Sequence, residues 1–131
     1  MNVAALEALH RLREGNQRFV ADNGNLGGLS SRSRRAELVA GQEPLAIILG
    51  CSDSRVPAEI VFDQGLGDLF VIRVAGNVVA PSGVGSVEFA ATRSGARLVV
   101  VLGHTQCGAI QATLEELRQP SANRPRGLRS T

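Results

Sequence analysis

The sequence predicts an α/β fold in which an open, mostly parallel sheet is flanked by helices, with an amphipathic helical arm at the amino terminus. Short apolar runs occupy 45–49, 69–74 and 98–102. They are rich in Ile and Val and do not alternate with polar residues, which is typical of strands buried on both faces of a parallel sheet. Helical patterns separate these runs, so the chain alternates between strands and helices. Its 131 residues, 44% of them hydrophobic, suffice for one domain over 1–131.

The first elements come before the strands. Four apolar residues recur every three positions in a charged context and predict the amino-terminal helix: Val3, Leu6, Leu9 and Leu12. Residues 23–33 are rich in Gly, Asn and Ser and predict a loop. A short helix is expected over 34–40, ending at Gly41.

Two further helices are expected beside the strands. Residues 85–93 predict a helix between the second and third strands, ended by Gly95. After the third strand, Ile110, Leu114 and Leu117 fall at helical spacing until Pro120 stops them. The sheet is therefore expected to have helices before, between and after its strands.

The charge pattern does not favour nucleic acid as a partner. All fourteen basic residues are arginine, and the net charge is only +2. Two arginine clusters occur, Arg32 with Arg34 and Arg35, and Arg124 with Arg126 and Arg129. Neither has the interleaved aromatic residues on which bases stack, so we interpret both as solvated charge.

Apolar runs long enough for a membrane span or a signal peptide are absent from the sequence. No 18 apolar residues occur together, and the charges of the first 18 positions interrupt any signal-like core. We therefore expect no membrane partner and a cytoplasmic location. In that reducing compartment, Cys51 and Cys107 are expected to be thiols or metal ligands and not a structural disulfide.

Two strand ends carry metal-ligating side chains. Cys51 follows the first strand, while His104 and Cys107 follow the third with two residues between them. Ligands of open α/β sheets bind beyond the carboxyl ends of the strands, so these groups should meet. Two thiolates and one imidazole make a Zn²⁺ site with a fourth position left for water, as in catalytic zinc sites. A structural site would need a fourth Cys or His, and the other histidine, His10, lies on the amino-terminal helix.

Two buried cysteines and a loop histidine are common in proteins without a metal, so the neighbouring residues matter. Asp53 and Arg55 follow Cys51 directly, two residues apart. A carboxylate paired with a guanidinium can be purely structural. Beside a predicted ligand at a strand end, it favours a catalytic pair.

At these residues the chain resembles a β-class carbonic anhydrase. The family signatures Cys-x-Asp-x-Arg and His-x-x-Cys occur here as CSDSR at 51–55 and HTQC at 104–107. The stretches 70–77 and 85–90 are similar to the family as well, and the likeness extends from the amino-terminal helix to about Arg129. It implies a β-carbonic-anhydrase-like fold and the reversible hydration of CO₂ to bicarbonate and a proton.

The resemblance also implies roles for individual residues. Cys51, His104 and Cys107 would be the zinc ligands. Asp53 would accept a hydrogen bond from the water on the metal, and Arg55 would hold Asp53 in place. Both belong to the family's signature.

Two further residues are expected near the substrate. Gly108, at the start of the last helix, can offer a backbone N–H to the developing bicarbonate oxygens. Gln64 is expected to add a side-chain donor, as a Gln does in part of the family.

The resemblance bears on assembly too. Family members continue with a further parallel strand and carboxyl-terminal helices, which we expect this chain to lack. The apolar strand at 98–102 would then have an open edge, and open apolar edges invite pairing with another chain. We therefore expect a homodimer or a larger homo-oligomer.

Three alternatives remain open at this point. A CS₂ or COS hydrolase of the same fold would use the same ligands and differ in how the pocket is reached. A truncated, non-catalytic zinc-binding relative is favoured by the short chain and opposed by the intact Asp53 and Arg55 pair. A thiol redox protein would use Cys51 and Cys107, but the sequence has no Cys-x-x-Cys.

Overall fold

The structure, a computed structural model, describes residues 3–25, 28 and 30–120. Its helices and strands, in chain order, are α1 (Ala5–Val20), α2 (Arg32–Glu37), β1 (Ala46–Cys51), α3 (Ala58–Val61), β2 (Leu69–Val74), α4 (Pro81–Arg93), β3 (Val99–Leu102) and α5 (Gly108–Arg118). Short 3₁₀ turns follow α2 at Leu38–Ala40 and β2 at Ala75–Asn77. The predicted α/β fold is confirmed. No helix in the described ranges is both long enough and apolar enough to cross a membrane.

The three strands form one parallel sheet in the order β2-β1-β3. The central strand β1 pairs with β2 from Ala46 opposite Leu69 to Cys51 opposite Val74. On its other side, β1 pairs with β3, with Gly50 opposite Leu102. Because the strands are parallel, their carboxyl ends meet at one edge of the sheet. Cys51 lies at this edge, next to the segment that follows β3.

Helices cover the two faces of the sheet through separate core clusters. On one face, Ala8 and Leu12 of α1 pack against Ala46 and Ile48 of β1, with apolar residues of β2 and β3 around them. On the other face, Ala90 and Val87 of α4 pack with Ile47, Phe70 and Ile72. Burying a side chain such as Ile48 contributes roughly 1.5–3 kcal/mol. The core therefore centres on β1, all six residues of which are buried.

The expectation that all three apolar strands are buried on both faces is wrong for β3. Val99 and Val101 are 45% and 61% exposed, whereas Val100 and Leu102 pack into the α1-side cluster. The reason is that α4 lies over β1 and β2 and leaves that face of β3 uncovered. As expected, β3 forms an edge of the described sheet.

Helix α1 forms as predicted, but with a different buried face. Leu6 of the predicted apolar stripe is 82% exposed, and the buried residues are Ala8, Leu12 and Gly15. A step of three residues falls about 60° short of a full helical turn, so a strict three-residue repeat winds away from the core, while steps of four and three residues stay on it. At Gly15, a Cβ atom would lie only 1.7 Å from the Phe62 carbonyl oxygen, so a glycine permits this close approach.

Two arginines of the first cluster, Arg34 and Arg35, form contacts within the chain. Arg34 donates to the Leu66 carbonyl and forms ion pairs with Glu37 and Asp68. Arg35 donates to the carbonyl of Ser30. The second cluster, at 124–129, lies outside the described residues.

Candidate metal centre

Cys51 enters the site from the end of the central strand, where its backbone is still held by the sheet. One residue later, the Ser52 N–H donates to the Val74 carbonyl, which extends the ladder past the strand. The Sγ atom accepts hydrogen bonds from the N–H groups of Asp53, at 3.4 Å, and Gly76, at 3.2 Å. Burial alone would raise the pKa of this thiol. Its contacts with His104, these two N–H groups and Cys107 outweigh burial and lower the pKa to about 7.

The turn after β2 brings the Gly76 N–H to the sulfur. Gly76 has a φ of 71°, in the left-handed region that glycine adopts without a steric penalty. A Cβ atom there would already lie 3.4 Å from that of Ala109 on α5. This position thus suits a glycine on two counts, its backbone conformation and its place between Cys51 and α5.

Cys107 and His104 lie on the turn that follows β3. Cys107 is buried, and its Sγ is 3.9 Å from that of Cys51. The turn passes through Gln106, which has a φ of 54° in the left-handed region. This conformation bends the chain between the two predicted ligands.

The ring of His104 is oriented by its own turn. Its Nδ1 lies 2.9 Å from the carbonyl oxygen of Thr105. Because a carbonyl can only accept, Nδ1 carries the hydrogen, and Nε2 of the neutral ring keeps its lone pair. Nε2 is buried and has no hydrogen-bond partner among the described residues. The nearby Cys51 sulfur raises the pKa of His104, against the opposing effect of burial.

These three side chains form a set of donors that a metal ion would satisfy. One Sγ from each cysteine and one ring nitrogen of His104 lie within 4.8 Å of one another. A buried polar atom without a partner needs an explanation, and a bound cation beside two thiols supplies one for Nε2. Two sulfurs and one imidazole nitrogen are also the ligand types that zinc prefers.

Asp53 is fixed beside this cluster by Arg55. The Nε and Nη2 groups of Arg55 donate to the two carboxylate oxygens at 2.9 and 2.6 Å, and its backbone N–H donates at 2.9 Å. These hydrogen bonds hold the pKa of Asp53 well below its usual range and raise the pKa of Arg55. The Asp53 Oδ2 lies 3.9 Å from Nε2 of His104. An ionised carboxylate, 16% exposed, thus borders the candidate ligands.

Arg55 also links the two halves of the site. Its Nη2 donates to the Gln106 carbonyl at 3.1 Å, in the turn that carries His104 and Cys107. Both turns are therefore tied to the same guanidinium.

The structure brings one of the two predicted substrate residues next to the cluster. Gly108 directly follows Cys107 and is the first residue of α5. Gln64 is buried elsewhere, and its Nε2 donates to the Phe62 carbonyl at 2.9 Å. It precedes the turn at 65–68 that leads into the beginning of β2, whereas Cys51 and His104 lie where the strands end. Within one chain, Gln64 does not join the site.

Sequence reasoning missed one residue with a clear place at the site. Arg73 on β2 donates from Nε to the Cys51 carbonyl at 2.8 Å and from Nη2 to the Asp53 carbonyl at 2.7 Å. The one available signal was its charge, since Arg73 is the single charged residue in the otherwise apolar run of β2. A charge in an apolar strand predicts a polar interaction, but it does not identify the partners.

Comparisons with known proteins agree with this fold and site. Residues 46–129 match the family model for carbonic anhydrase. The chain is 51% identical over 113 residues to carbonic anhydrase 2 of Mycobacterium tuberculosis, covering 86% of this chain and 54% of that protein. The chain spans about half the length of the curated relatives it matches.

Solved structures of β-carbonic anhydrases share the fold. The enzyme CafA of Aspergillus fumigatus matches with a TM-score of 0.60 at 31% identity, over 82% of this chain and 49% of that one. A tetrameric β-carbonic anhydrase of Sordaria macrospora matches with a TM-score of 0.58 at 32% identity, over 61% of this chain and 42% of that one. The fold is that of the β-carbonic anhydrases, and the cluster offers two sulfurs and one imidazole nitrogen, which are ligand types of metal sites. The chain belongs to the carbonic anhydrase family, and the resemblance to its β class is confirmed.

Proposed function

We propose that this chain binds Zn²⁺ through Cys51, His104 and Cys107 and catalyses the reversible hydration of CO₂ to bicarbonate and a proton. The observation that carries the proposal is that one ring nitrogen of His104 lies within 4.8 Å of two cysteine sulfurs, while its buried Nε2 has no hydrogen-bond partner among the described residues. A carboxylate fixed by a guanidinium borders the same atoms. Membership of the carbonic anhydrase family supports the reaction.

The chemistry of the ligand set suits zinc and an attack by water. When bound, Zn²⁺ lowers the pKa of water from 15.7 towards about 7, the value known for the three-histidine carbonic anhydrase site. The ligands must be deprotonated to bind it, and a Cys51 pKa of about 7 keeps that cost small near neutral pH. The thiols must also stay reduced, which favours the cytoplasm as the expected compartment.

Asp53 and Arg55 orient the reacting water. Because its pKa is depressed by Arg55, Asp53 is ionised at neutral pH and can only accept hydrogen bonds. It takes a hydrogen of the water into a hydrogen bond and so turns a lone pair towards CO₂. Arg55 acts through Asp53, holding both carboxylate oxygens. The proton released by the reaction leaves to solvent or buffer, since Asp53 is too weak a base to keep it.

The substrate oxygens need hydrogen-bond donors other than the Asp53 and Arg55 pair. Negative charge develops on them as bicarbonate forms. The first N–H groups of a helix have no partner inside the helix, and they lie at its positive end. Gly108, first in α5 and next to Cys107, offers such an N–H. We assign it to the developing bicarbonate oxygens.

Gln64 can serve a substrate only across a subunit boundary. Its place near the beginning of β2 separates it from the cluster of its own chain. We therefore propose a homodimer or larger assembly in which Gln64 reaches the site of a second copy. The exposed valines of β3 and the exposed Ile110, Leu114 and Leu117 of α5 support association. The solved relative from Sordaria macrospora is described as tetrameric.

Metal content and CO₂ hydration, measured together on the wild type and Cys107→Ser, test the proposal. We expect about one zinc per chain in the wild type. Cys107→Ser should lose both zinc and activity, because only two ligands remain. The matched control is Ser86→Ala, which changes an exposed hydroxyl on α4 that bonds within its own helix.

Three other outcomes would contradict parts of the proposal. Equal zinc in the wild type and in Cys107→Ser would contradict the ligand assignment. Zinc without hydration of CO₂ would leave a non-catalytic zinc-binding relative. Turnover of CS₂ or COS in place of CO₂ would point to the hydrolase of the same fold.

A further inference from the structure

Arg73 clamps the turn that presents Cys51 and Asp53 to the site. Its Nε donates to the carbonyl of Cys51 at 2.8 Å and its Nη2 to the carbonyl of Asp53 at 2.7 Å. The two carbonyls flank Ser52, so one guanidinium spans the whole three-residue turn. Because the guanidinium is planar and its donors are fixed relative to one another, the two bonds set the spacing of the carbonyls.

The sheet register makes this reach possible. Arg73 lies opposite Gly50, one residue before the end of β1. Paired residues of parallel strands share a face of the sheet, and Gly50 has no side chain to occupy that face. The Arg73 side chain can therefore pass over the end of β1 to the turn beyond it.

The turn needs such a partner because it leaves the sheet ladder. Backbone carbonyls beyond a strand end require new hydrogen-bond donors, and that of Asp53 accepts from Arg73 at 2.7 Å and from the Val56 N–H at 3.2 Å. Bonds from a charged donor are roughly twice as strong as neutral ones, so Arg73 holds this turn more firmly than a neutral side chain would. Asp53 is thereby held through two groups: Arg73 donates to its backbone carbonyl, and Arg55 donates to its carboxylate.

We propose that Arg73 is a positioning residue of the metal centre. It fixes the backbone from Cys51 to Asp53 and so sets where the Cys51 sulfur and the Asp53 carboxylate stand relative to each other. Both hydrogen bonds of its side chain go to backbone carbonyls, so Arg73 acts through the backbone. The consequence for metal binding rests on the proposed function, whereas the clamp on the backbone does not.

A purely structural role would have a different signature. Strand β2 is already joined to β1 along six paired residues, so the sheet does not depend on the Arg73 side chain. Removing the clamp should therefore disturb the site more than it lowers the thermal stability. Metal coordination and global unfolding are thus the two quantities to compare.

The test uses Arg73→Gln and Arg73→Lys in the full chain, with Arg97→Gln as matched control. Arg97 is an exposed arginine just before β3. Three measurements apply: the absorption bands of the Co²⁺-loaded protein, zinc affinity by chelator competition, and the thermal unfolding midpoint of the metal-free chain. Loss of residues that orient metal ligands typically costs about 10- to 100-fold in affinity. We expect that loss and altered Co²⁺ bands in Arg73→Gln, a smaller change in Arg73→Lys, and wild-type behaviour in Arg97→Gln.

Wild-type Co²⁺ bands and zinc affinity in Arg73→Gln would overturn the proposal. If Arg73→Gln does not fold, Arg73→Lys decides: a lower unfolding midpoint with unchanged Co²⁺ bands would show a purely structural residue and equally overturn it.

Amide hydrogen exchange in the metal-free chain separates this inference from the proposed function. The N–H groups of Asp53 and Gly76, which bond to Cys51, should exchange faster in Arg73→Gln than in the wild type. Faster exchange in a protein that proves to bind no zinc would support the clamp while the proposed function fails. Unchanged exchange in a folded Arg73→Gln variant would contradict the proposed role of Arg73, whether or not the protein binds zinc.

Discussion

Cys51 enters the metal centre from the best-buried strand of the sheet, whereas His104 and Cys107 enter it from the most exposed one. Strand β1 is buried along its whole length, while β3 leaves two valines 45% and 61% exposed. The Cys51 sulfur accepts two backbone N–H groups. The difference teaches that the fold preorganises the Cys51 half of the candidate site more than the half that carries His104 and Cys107, which the proposed ion would then hold in place.

The two halves also differ in how they are tied down. The Cys51 turn is bonded to β2 through Arg73 and the extended ladder. The turn after β3 is held by the bond within it from His104 to Thr105 and by Arg55 on Gln106. Arg55 is thus the contact through which the preorganised half supports the other.

The largest expected effect is on folding stability and tests the difference in burial. Ile48→Ala removes a fully buried side chain of β1 and should lower the free energy of unfolding by about 2–5 kcal/mol through lost burial and a cavity. The matched change Val101→Ala on β3, measured at concentrations where the chain is monomeric, should cost about 0.5 kcal/mol or less, because that side chain is 61% exposed in the single chain. Urea unfolding measures both. Equal losses would show that β3 is as tightly packed as β1.

A change at Arg55 tests the link between the halves. Arg55→Lys keeps the charge but loses the planar fork that holds both Asp53 oxygens and the Gln106 carbonyl. Losing a preorganised electrostatic contact of this kind typically lowers kcat by roughly 10²-fold. CO₂ hydration by stopped flow, normalised to bound zinc, measures it. Arg97→Gln is the control, and full activity in Arg55→Lys would mean that Asp53 keeps its place unaided.

The pH dependence of zinc affinity tests the preorganised half. Cys51 must lose its proton to bind the ion, and its pKa is lowered to about 7. Below that value, protons compete with zinc at Cys51, so this ligand alone should lower the apparent affinity about tenfold per pH unit as the pH decreases, in addition to the other two ligands. Above it, Cys51 adds no further dependence. Chelator competition across neutral pH checks this, and an apparent affinity without a break near pH 7 would show that the N–H bonds to Cys51 do not act as described.

The smallest expected effect concerns the exposed half. Removing the ion with a chelator should speed amide exchange in the turn after β3, around Thr105 and Gln106, by several-fold, because local opening is easiest where few contacts hold the backbone. The amides of β1 should change little, since its residues are buried. Mass spectrometry of exchanged peptides compares them. A larger change in the exchange of β1 than in that of the turn after β3 would show that the Cys51 half of the site depends more on the ion.

The sequence predicted that Cys51, His104 and Cys107 come together because their chemistry and their strand-end positions are both visible in it, and the structure places them in one cluster. Cys51, His104 and Cys107 each follow an apolar run, and few other roles explain that pattern. The role of Arg73 could not be predicted from the sequence, because its partners are backbone carbonyls, which every residue carries.

The features that sequence reasoning missed in the fold depend on tertiary packing. The exposure of Val99 and Val101 depends on how far α4 reaches across the sheet, which no property of β3 itself records. The buried face of α1 combines Leu12 with two small residues, Ala8 and Gly15, while Leu6 of the predicted stripe points to solvent. Apolar residues alone therefore indicated the helix but not its orientation.

The register of the sheet would give the proposed ion a further role, in the folding of the chain. Cys51 aligns with Val74, and Gly50 aligns with Leu102. A slip of one residue between parallel strands would turn the side chains of one of them to the opposite face. An ion that needs sulfur from the end of β1 and ligands from beyond β3 stabilises only the correct alignment. Zinc binding would then favour the correct register of β3, the strand whose side chains are the least buried in the sheet.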